Sequence, residues 1–497
     1  MTTEGTDAPA GEVRSYDVVV IGAGPTGENV ADRVVAGGLT AVVVERELVG
    51  GECSYWACMP TKALLRSTTA VQAARRVPGA REAVTGRVDA SAVLARRDRF
   101  ASSWQDDGQV AWLDSAGIDL VRGRARLTAA REVTVTPVDD GEPPVVLTAR
   151  HAVVVTTGTA ALLPPIPGLA DVSPWTSREA ASAHEVPGSL AIIGGGVVAA
   201  EMATAYVGLG SSVTLLARDG VLPTAEPFAG ELVIRSLEAA GTDVRLGVEV
   251  VRAERVDGQV VLDLVGGGEV RAEQVLVAVG RTPGTRDLGL GSVGLTDGSW
   301  LTVDETLRVT DGDGRVVDDG WLYAVGDVNA RALLTHQGKY QARAAGDAIV
   351  ARATGSPLDD RPWGWHAATA DRQAVPQVVF TDPEVASVGL TAAAAEAAGF
   401  PTKVADHDLG AVAGASLHAD GYEGRARLVV DADREVVLGA TFVGPDVAEL
   451  VHAATVAITG EVPIERLWHA VPAYPTVSEV WLRLLETYGR PISHQPS

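Results

Sequence analysis

Short apolar runs alternate with glycine-rich breaks along this chain. Val18-Val19-Val20-Ile21 ends a run that starts at Ser15. Short, apolar and β-branched, the run reads as a buried strand. After the break Gly22-Ala23-Gly24-Pro25-Thr26-Gly27, a helical stretch runs to about Gly37. A second strand, Thr40 to Val44, then ends in Glu45. The order returns further on. Ser189 to Ile193 reads as a strand, Gly194-Gly195-Gly196-Val197-Val198-Ala199 as a turn, Ala200 to about Leu209 as a helix, and Ser212 to Leu216 as the next strand. Pro164-Pro165-Ile166-Pro167-Gly168 reads as a stiff linker, since proline fixes its backbone dihedral. Arg131 to Pro144 is expected to form a surface hairpin with an acidic turn. The alanine-rich Thr391 to Ala398 is expected to be helical.

The glycine spacing gives the first break a chemistry. In strand, G-x-G-x-x-G, helix, strand, acid, the glycines Gly22, Gly24 and Gly27 permit a tight turn and let a pyrophosphate approach the helix N-terminus. Glu45, about twenty residues on, can accept from the hydroxyls of an adenosine ribose. The alternative is a glycine-rich turn without a ligand. In the second turn Gly194 and Gly196 take the pyrophosphate positions and Ala199 the last small one, but the acid is missing: Ala217 stands there and Arg218 follows. An arginine at that place suits a 2′-phosphate that an acid would repel, which favours NADPH over NADH. The alternative is a merely solvated arginine.

Composition narrows the partners. With 41 Lys and Arg against 64 Asp and Glu, the 497-residue chain carries −23, which disfavours nucleic acid and anionic membranes. No run reaches the roughly 18 apolar residues of a membrane span. The polar segment from Met1 to Arg14 lacks a secretory apolar core, so a disordered tail and a cytoplasmic protein are expected. In a reducing compartment a lone cysteine pair is more often catalytic than structural.

The only two cysteines, Cys53 and Cys58, lie in Gly50-Gly51-Glu52-Cys53-Ser54-Tyr55-Trp56-Ala57-Cys58-Met59-Pro60-Thr61-Lys62. A continuous helix would separate them by about 7.5 Å of rise, whereas a disulfide needs Cα atoms within roughly 7 Å. If they pair, Cys53 is expected in an irregular turn and Cys58 just before a helix opened by Pro60. The positive end of that helix would favour a Cys58 thiolate. By itself C-x4-C is equally compatible with inert buried cysteines or a rigidifying bridge.

Together these segments resemble the pyridine nucleotide–disulfide oxidoreductases, the family of dihydrolipoamide dehydrogenase, glutathione reductase, mercuric reductase and soluble transhydrogenase. The resemblance runs from about Tyr16 to Leu485. Gly50 to Lys62 resembles the family's redox-active segment, and Thr156-Thr157-Gly158-Thr159 its first-domain exit. Val279-Gly280-Arg281-Thr282-Pro283 resembles the end of its nicotinamide domain, and Leu322 to Asp327 its second flavin contact. Val379 to Gly389 resembles the start of its dimerisation domain. The resemblance implies an α/β fold with two Rossmann-like dinucleotide-binding domains and a C-terminal α+β dimerisation domain. FAD would occupy 15–162 and 288–367, the nicotinamide 163–287, and a homodimer would form through 368–497. It implies that Cys53 is the interchange thiol and Cys58 the thiolate against the flavin. Lys62, one of three lysines with Lys339 and Lys403, would pair with Glu201 by the flavin ring. Gly51, Thr157, Gly158, Gly280, Arg281 and Gly326 fall on cofactor-contact motifs, and Asp327 would accept from the ribityl chain. No resident metal is expected.

One departure concerns the acceptor. Family reductases carry His-Pro-Thr-x-x-Glu, with the histidine as acid–base across the dimer; this chain has Tyr474-Pro475-Thr476-Val477-Ser478-Glu479. With ordinary values of about 10 for Tyr and about 6.5 for His, the phenol is the poorer base near neutrality by roughly 4–5 kcal/mol. Small dithiols should therefore be handicapped. His469 and His452 could substitute only if the fold brings one in, and His336 is expected on a flavin-domain helix. The expected acceptor is a small molecule: a disulfide of special kind, a polysulfide or a metal ion. Direct flavin transfer to a quinone or a second nicotinamide is the alternative, and a catalytically silent flavoprotein is a third reading.

Overall fold

The computed structural model describes residues 12–138 and 142–490. Strand β1 spans Val13–Ile21, because Val13 to Tyr16 pair in register with Val146 to Ala149. Val13 and Arg14 thus belong to the sheet rather than to the expected tail, whose residues 1–11 lie outside the described ones. Helix α1 (Pro25–Ala36) and strand β2 (Ala41–Glu45) follow where the pattern put them. With β3 (Asp119–Arg122), β4 (Arg124–Ala129), β5 (Glu132–Thr136) and β6 (Val145–Val155), they build a sheet ordered β3-β2-β1-β6-β5-β4, and Leu322–Ala324 also pairs with β6. The strands from β3 to β6 in that order are parallel, as is Leu322–Ala324. The β4–β5 and β5–β6 pairs are antiparallel. The last is the hairpin expected at Arg131 to Pro144, and its tip at 139–141 lies outside the described residues. One face of α1 (Val30, Ala31, Val34) packs on Ala342, Ala345 and Ile349 of the helix Thr335–Thr354.

The chain divides into two compact units. The first comprises the residues up to Cys58, Ala101–Ala160 and Arg281–Asp371. The second comprises Met59–Phe100, Ala161–Gly280 and the residues from Arg372 on. In the second unit, Ser189–Ile193, Ser212–Ala217, Asp243–Leu246 and Gln274–Val277 form a parallel sheet beside the helix Val197–Leu209. A five-stranded antiparallel sheet from Pro376–Val379 to Val436–Gly444 carries the helices Leu450–Thr459 and Val480–Tyr488 on a core of its own. The alanine-rich helix is present at Ala392–Ala397, with the Thr391 hydroxyl accepting from the Ala394 N–H. Met59–Phe100 was expected with the first domain but falls in the second unit. Leu64, Leu65 and Val93 are buried against Ala205 and Leu209, and each leucine so buried contributes about 1.5–3 kcal/mol. Helix-to-helix packing of this kind overrides neighbourhood in the chain.

The glycine turn after β1 is closed by backbone contact. The Thr156 hydroxyl donates to the carbonyls of Gly22 (2.7 Å) and Ile21 (2.9 Å). A Cβ on Gly27 would stand 2.0 Å from the Gly22 carbonyl oxygen, whereas one on Gly24 would meet nothing closer than the Gly51 Cα at 4.0 Å. Gly27→Ala should therefore destabilise the protein by about 1–3 kcal/mol in denaturant unfolding, while Gly24→Ala leaves the midpoint of the flavin-free protein nearly unchanged.

Candidate active site

The cysteine segment is joined to the glycine turn by its backbone. The Gly50 N–H donates to the Ala23 carbonyl at 2.7 Å, and a Cβ on Gly51 would lie 2.8 Å from the Gly24 Cα. Glu45 accepts from the N–H groups of Ala23 (2.7 Å) and Glu47 (2.8 Å), so its carboxylate is fixed at the end of β2. Helix α2 (Gly51–Tyr55) then carries Cys53, and α3 (Cys58–Arg75) opens on Cys58. The expected arrangement, an irregular turn at Cys53 with Pro60 first in the helix, is thus corrected. Cys53 is helical, Pro60 is the third residue of α3, and the break falls at Trp56, with φ −135° and ψ 0°. That break brings the side chains together without a continuous helix between them. No disulfide joins the two cysteines in this structure.

The two sulfurs interact. A hydrogen bond with Cys58 pushes the Cys53 thiol well above its usual range, with burial and the charge of Cys58 adding to it, while Thr335 and Lys339 act in the opposite direction. The Cys58 Sγ lies 3.3 Å from the Thr335 hydroxyl and at the N-terminus of α3, where the helix dipole favours an anion.

Asp327 sits in a second cluster of the same unit. It follows Gly326 (φ 83°) and accepts from the Thr159 hydroxyl at 3.0 Å. Burial pushes its carboxyl up, opposed by Arg281. Arg281 also donates to the Thr159 carbonyl at 3.0 Å and lies 3.7 Å from Glu52. Thr157 Oγ1 is buried with no partner among the described residues, and Gly158 has φ 63°. Gln341 holds the turn from behind, accepting from the Gly326 N–H at 2.7 Å and the Asn329 amide at 2.8 Å.

In the second unit Lys62 Nζ meets Glu201 Oε2 at 2.7 Å, and Glu201 is 3% exposed. Its other oxygen accepts from the Phe380 N–H at 2.9 Å, and the ammonium stands 5.0 Å from the centre of the Phe380 ring. An unpaired carboxylate so buried would cost several kcal/mol, so the lysine and the amide are what allow it there. Sequence reasoning placed Phe380 only in a domain motif and missed this role; a backbone donor leaves no residue-type signal. Thr335 and Gly195 were missed as well. A Cβ on Gly195 would lie 1.9 Å from the Gly220 carbonyl oxygen, and one on Gly194 (φ 129°) 2.2 Å from that of Ala278. Gly196 caps the helix that carries Glu201, with open space around it. The Gly280 carbonyl accepts from the Leu162 N–H at 2.9 Å.

Three expectations meet a different neighbour. Arg218 is exposed and bonded to Asp219 at 2.9 and 3.1 Å, so its charge is already shared. Tyr474 is 75% exposed. Glu479 is buried and held by Arg483 one turn on, with its Oε2 unpartnered among the described residues. His452 and His469 are both exposed, and His336 adjoins Thr335 in its helix.

The residues present fit two dinucleotides. Gly24 and Gly196 leave room for close backbone approach, and Thr157 offers an unused hydroxyl. No helix among the described residues is long and apolar enough to cross a membrane.

Comparison with known proteins agrees. Residues 16–355 match the family described as pyridine nucleotide-disulphide oxidoreductase, and 375–484 match its dimerisation domain, which indicates a homodimer. The chain is 31% identical over 480 residues to a mercuric reductase of Acidithiobacillus ferrooxidans, covering 96% of this chain and 83% of that one. It is 32% identical over 484 residues to a dihydrolipoyl dehydrogenase of Haloferax volcanii, covering 95% of each. The fold is that of the flavoprotein disulfide reductase RclA of Escherichia coli, with a TM-score of 0.79 at 23% identity over 95% of this chain and 99% of the other. LpdA of Mycobacterium tuberculosis gives 0.77 at 24%, over 94% and 99%. The protein is therefore an FAD- and NAD(P)H-dependent enzyme of the disulfide-oxidoreductase type, and the chain belongs to the pyridine nucleotide-disulphide oxidoreductase family.

Proposed function

We propose that this enzyme passes electrons from NADPH through FAD to the Cys53–Cys58 pair and on to a small thiol-reactive oxidant: a disulfide, a polysulfide or a metal ion. The observation that carries the reading is the hydrogen-bonded cysteine pair, with Cys58 at a helix N-terminus against the Thr335 hydroxyl. Bound FAD supplies a ring that takes a hydride from the nicotinamide and yields two electrons. Gly22, Gly24, Gly27 and Glu45 would hold its adenosine and pyrophosphate, and Gly51, Thr157, Gly158, Gly326 and Asp327 the rest. Lys62, steadied by Glu201, would offset negative charge. Gly194, Gly196 and Gly280 are assigned to the nicotinamide side, and Arg281, bonded to Thr159 in the cluster of Asp327, to the flavin side. With a disulfide acceptor, the Cys53 thiolate attacks one sulfur and releases the first thiolate, which takes a proton. Cys58 then displaces the second thiol and closes the Cys53–Cys58 bond.

A second reading is favoured by Tyr474, in the usual place of an imidazole, and by Glu479, whose charge goes to Arg483. It is direct transfer from flavin to a quinone or another nicotinamide, with the cysteines as bystanders. The names of the relatives, a mercuric reductase and dihydrolipoyl dehydrogenases, bracket the acceptor choice for the first reading. A phenol donates a proton but accepts one poorly near neutrality, which disfavours a dithiol substrate.

Cys53→Ser separates the two. The relay expects turnover with sulfur or metal acceptors to fall on the order of a thousandfold in steady-state assays, with anaerobic bleaching of the flavin by NADPH preserved. Unchanged turnover would establish direct transfer. For the nicotinamide, Arg218→Ala should lower kcat/KM with NADPH about fivefold and leave NADH unaffected, and Asp219→Asn should raise the preference for NADPH. Equal losses with both coenzymes would remove Arg218 from coenzyme choice.

A further inference from the structure

A buried ion pair stands behind the Gly326–Asp327 turn. Arg331 Nη1 lies 3.9 Å from Asp371 Oδ2, and the two side chains are 10% and 0% exposed. The other guanidinium nitrogen, Nη2, donates to the carbonyls of Val303 (3.1 Å) and Asp304 (3.0 Å) and lies 3.5 Å from Glu305. The carboxylate is fixed by Gln337, whose amide donates to Oδ1 at 2.9 Å. Tyr340 accepts from the Ala370 N–H at 3.2 Å, which ties the short helix Ala370–Gln373 to the helix Thr335–Thr354. Burial pushes the Asp371 carboxyl up to about 6, opposed by Arg331 and by the bond from Gln337.

From this pair a path of hydrogen bonds reaches the turn. The Arg331 backbone N–H donates to Asn329 Oδ1 at 3.1 Å. The Asn329 amide donates to Gln341 Oε1 at 2.8 Å and to the Ala324 carbonyl at 3.0 Å. Gln341 Oε1 also accepts from the Gly326 N–H at 2.7 Å. A side-chain amide has a donor end and an acceptor end of nearly the same shape. Turning Asn329 end for end would set its donor against the Arg331 N–H, and turning Gln341 would do the same at Gly326. The Arg331 N–H thus fixes Asn329, and Asn329 fixes Gln341. Ala330, next to that N–H, has φ 60°, a left-handed conformation that a non-glycine residue keeps only where its neighbours hold it. We infer that Arg331 and Asp371 are positioning residues for the Gly326–Asp327 turn. The ion pair pins the strained Ala330–Arg331 backbone, whose N–H begins the directed bonds through Asn329 and Gln341 to Gly326. Without the carboxylate the backbone relaxes, the amides are free to turn, and the Gly326 N–H loses its acceptor.

The consequence for the cofactor rests on the assignment of Asp327 to the flavin; the bond at Gly326 is read separately, by hydrogen exchange. The FAD-loaded dimer is transferred to deuterated water, and single amides are followed by fragmentation mass spectrometry. Asp371→Asn keeps the size of the side chain and an oxygen for Gln337, and removes the charge facing Arg331. Its Gly326 amide should exchange about tenfold faster at equal FAD content, while Val19 and Val20 in β1 keep their rates, and FAD should dissociate severalfold faster. Arg331→Met combined with Asp371→Leu replaces the pair by apolar side chains, a change that buried ion pairs tolerate, and should speed Gly326 in the same way. A Gly326 rate equal to the parent's in either variant overturns the inference. So does a rise shared by Val19 and Val20, which would make the pair a support of the whole fold. If Asp371→Asn does not fold, the double variant decides. Faster exchange at Gly326 with unchanged FAD dissociation upholds the positioning and removes Asp327 from the flavin site.

Discussion

The close backbone approach at the turn after β1 is the constraint on which the first unit depends. Thr156 at the end of β6 bonds the carbonyls of Ile21 and Gly22, and Gly27 sits against the Gly22 carbonyl where no side chain fits. The same turn receives the Gly50 N–H and lies under Gly51. One crowded knot of backbone therefore sets both the direction of α1 and the start of the cysteine segment. Packing at van der Waals density transmits displacement with little loss, so the glycines are tied to the position of the sulfurs.

Charge is distributed sparingly around this framework. Glu201, nearly inaccessible, has one cation and one backbone donor. Asp327 has a threonine hydroxyl and the nearby Arg281. Each carboxylate is compensated by directed partners, since a buried charge without them would cost more than local packing returns. Glu28 differs, because one of its oxygens has no donor among the described residues and burial displaces its titration towards neutrality. Perturbed groups of this kind concentrate where proton or electron chemistry occurs. Glu479 shows the reverse change: a residue that the family pattern ties to catalysis is tied here to Arg483.

The sequence by itself determined much. Local rules sufficed for β1, α1, β2 and their repeats, because an apolar β-branched run, a glycine spacing and a terminal acid are properties of contiguous residues. Cys53, Cys58, Lys62 and Glu201 were legible from their motifs, as was the substitution at Tyr474. Only the tertiary structure decided where the cysteine helices break, which unit holds Met59–Phe100, and which partner each charge takes. Trp56 carries no composition signal for a helix break. Phe380 contributes a backbone N–H that every residue but proline owns, and Arg218 is bonded by the very next residue. Val30 and Ala345 are remote in the chain and meet only because α1 packs on the helix Thr335–Thr354. Pattern records what each residue can do; long-range packing selects which of those capacities meet, because electrostatic and steric partners are fixed by distance in space rather than along the chain.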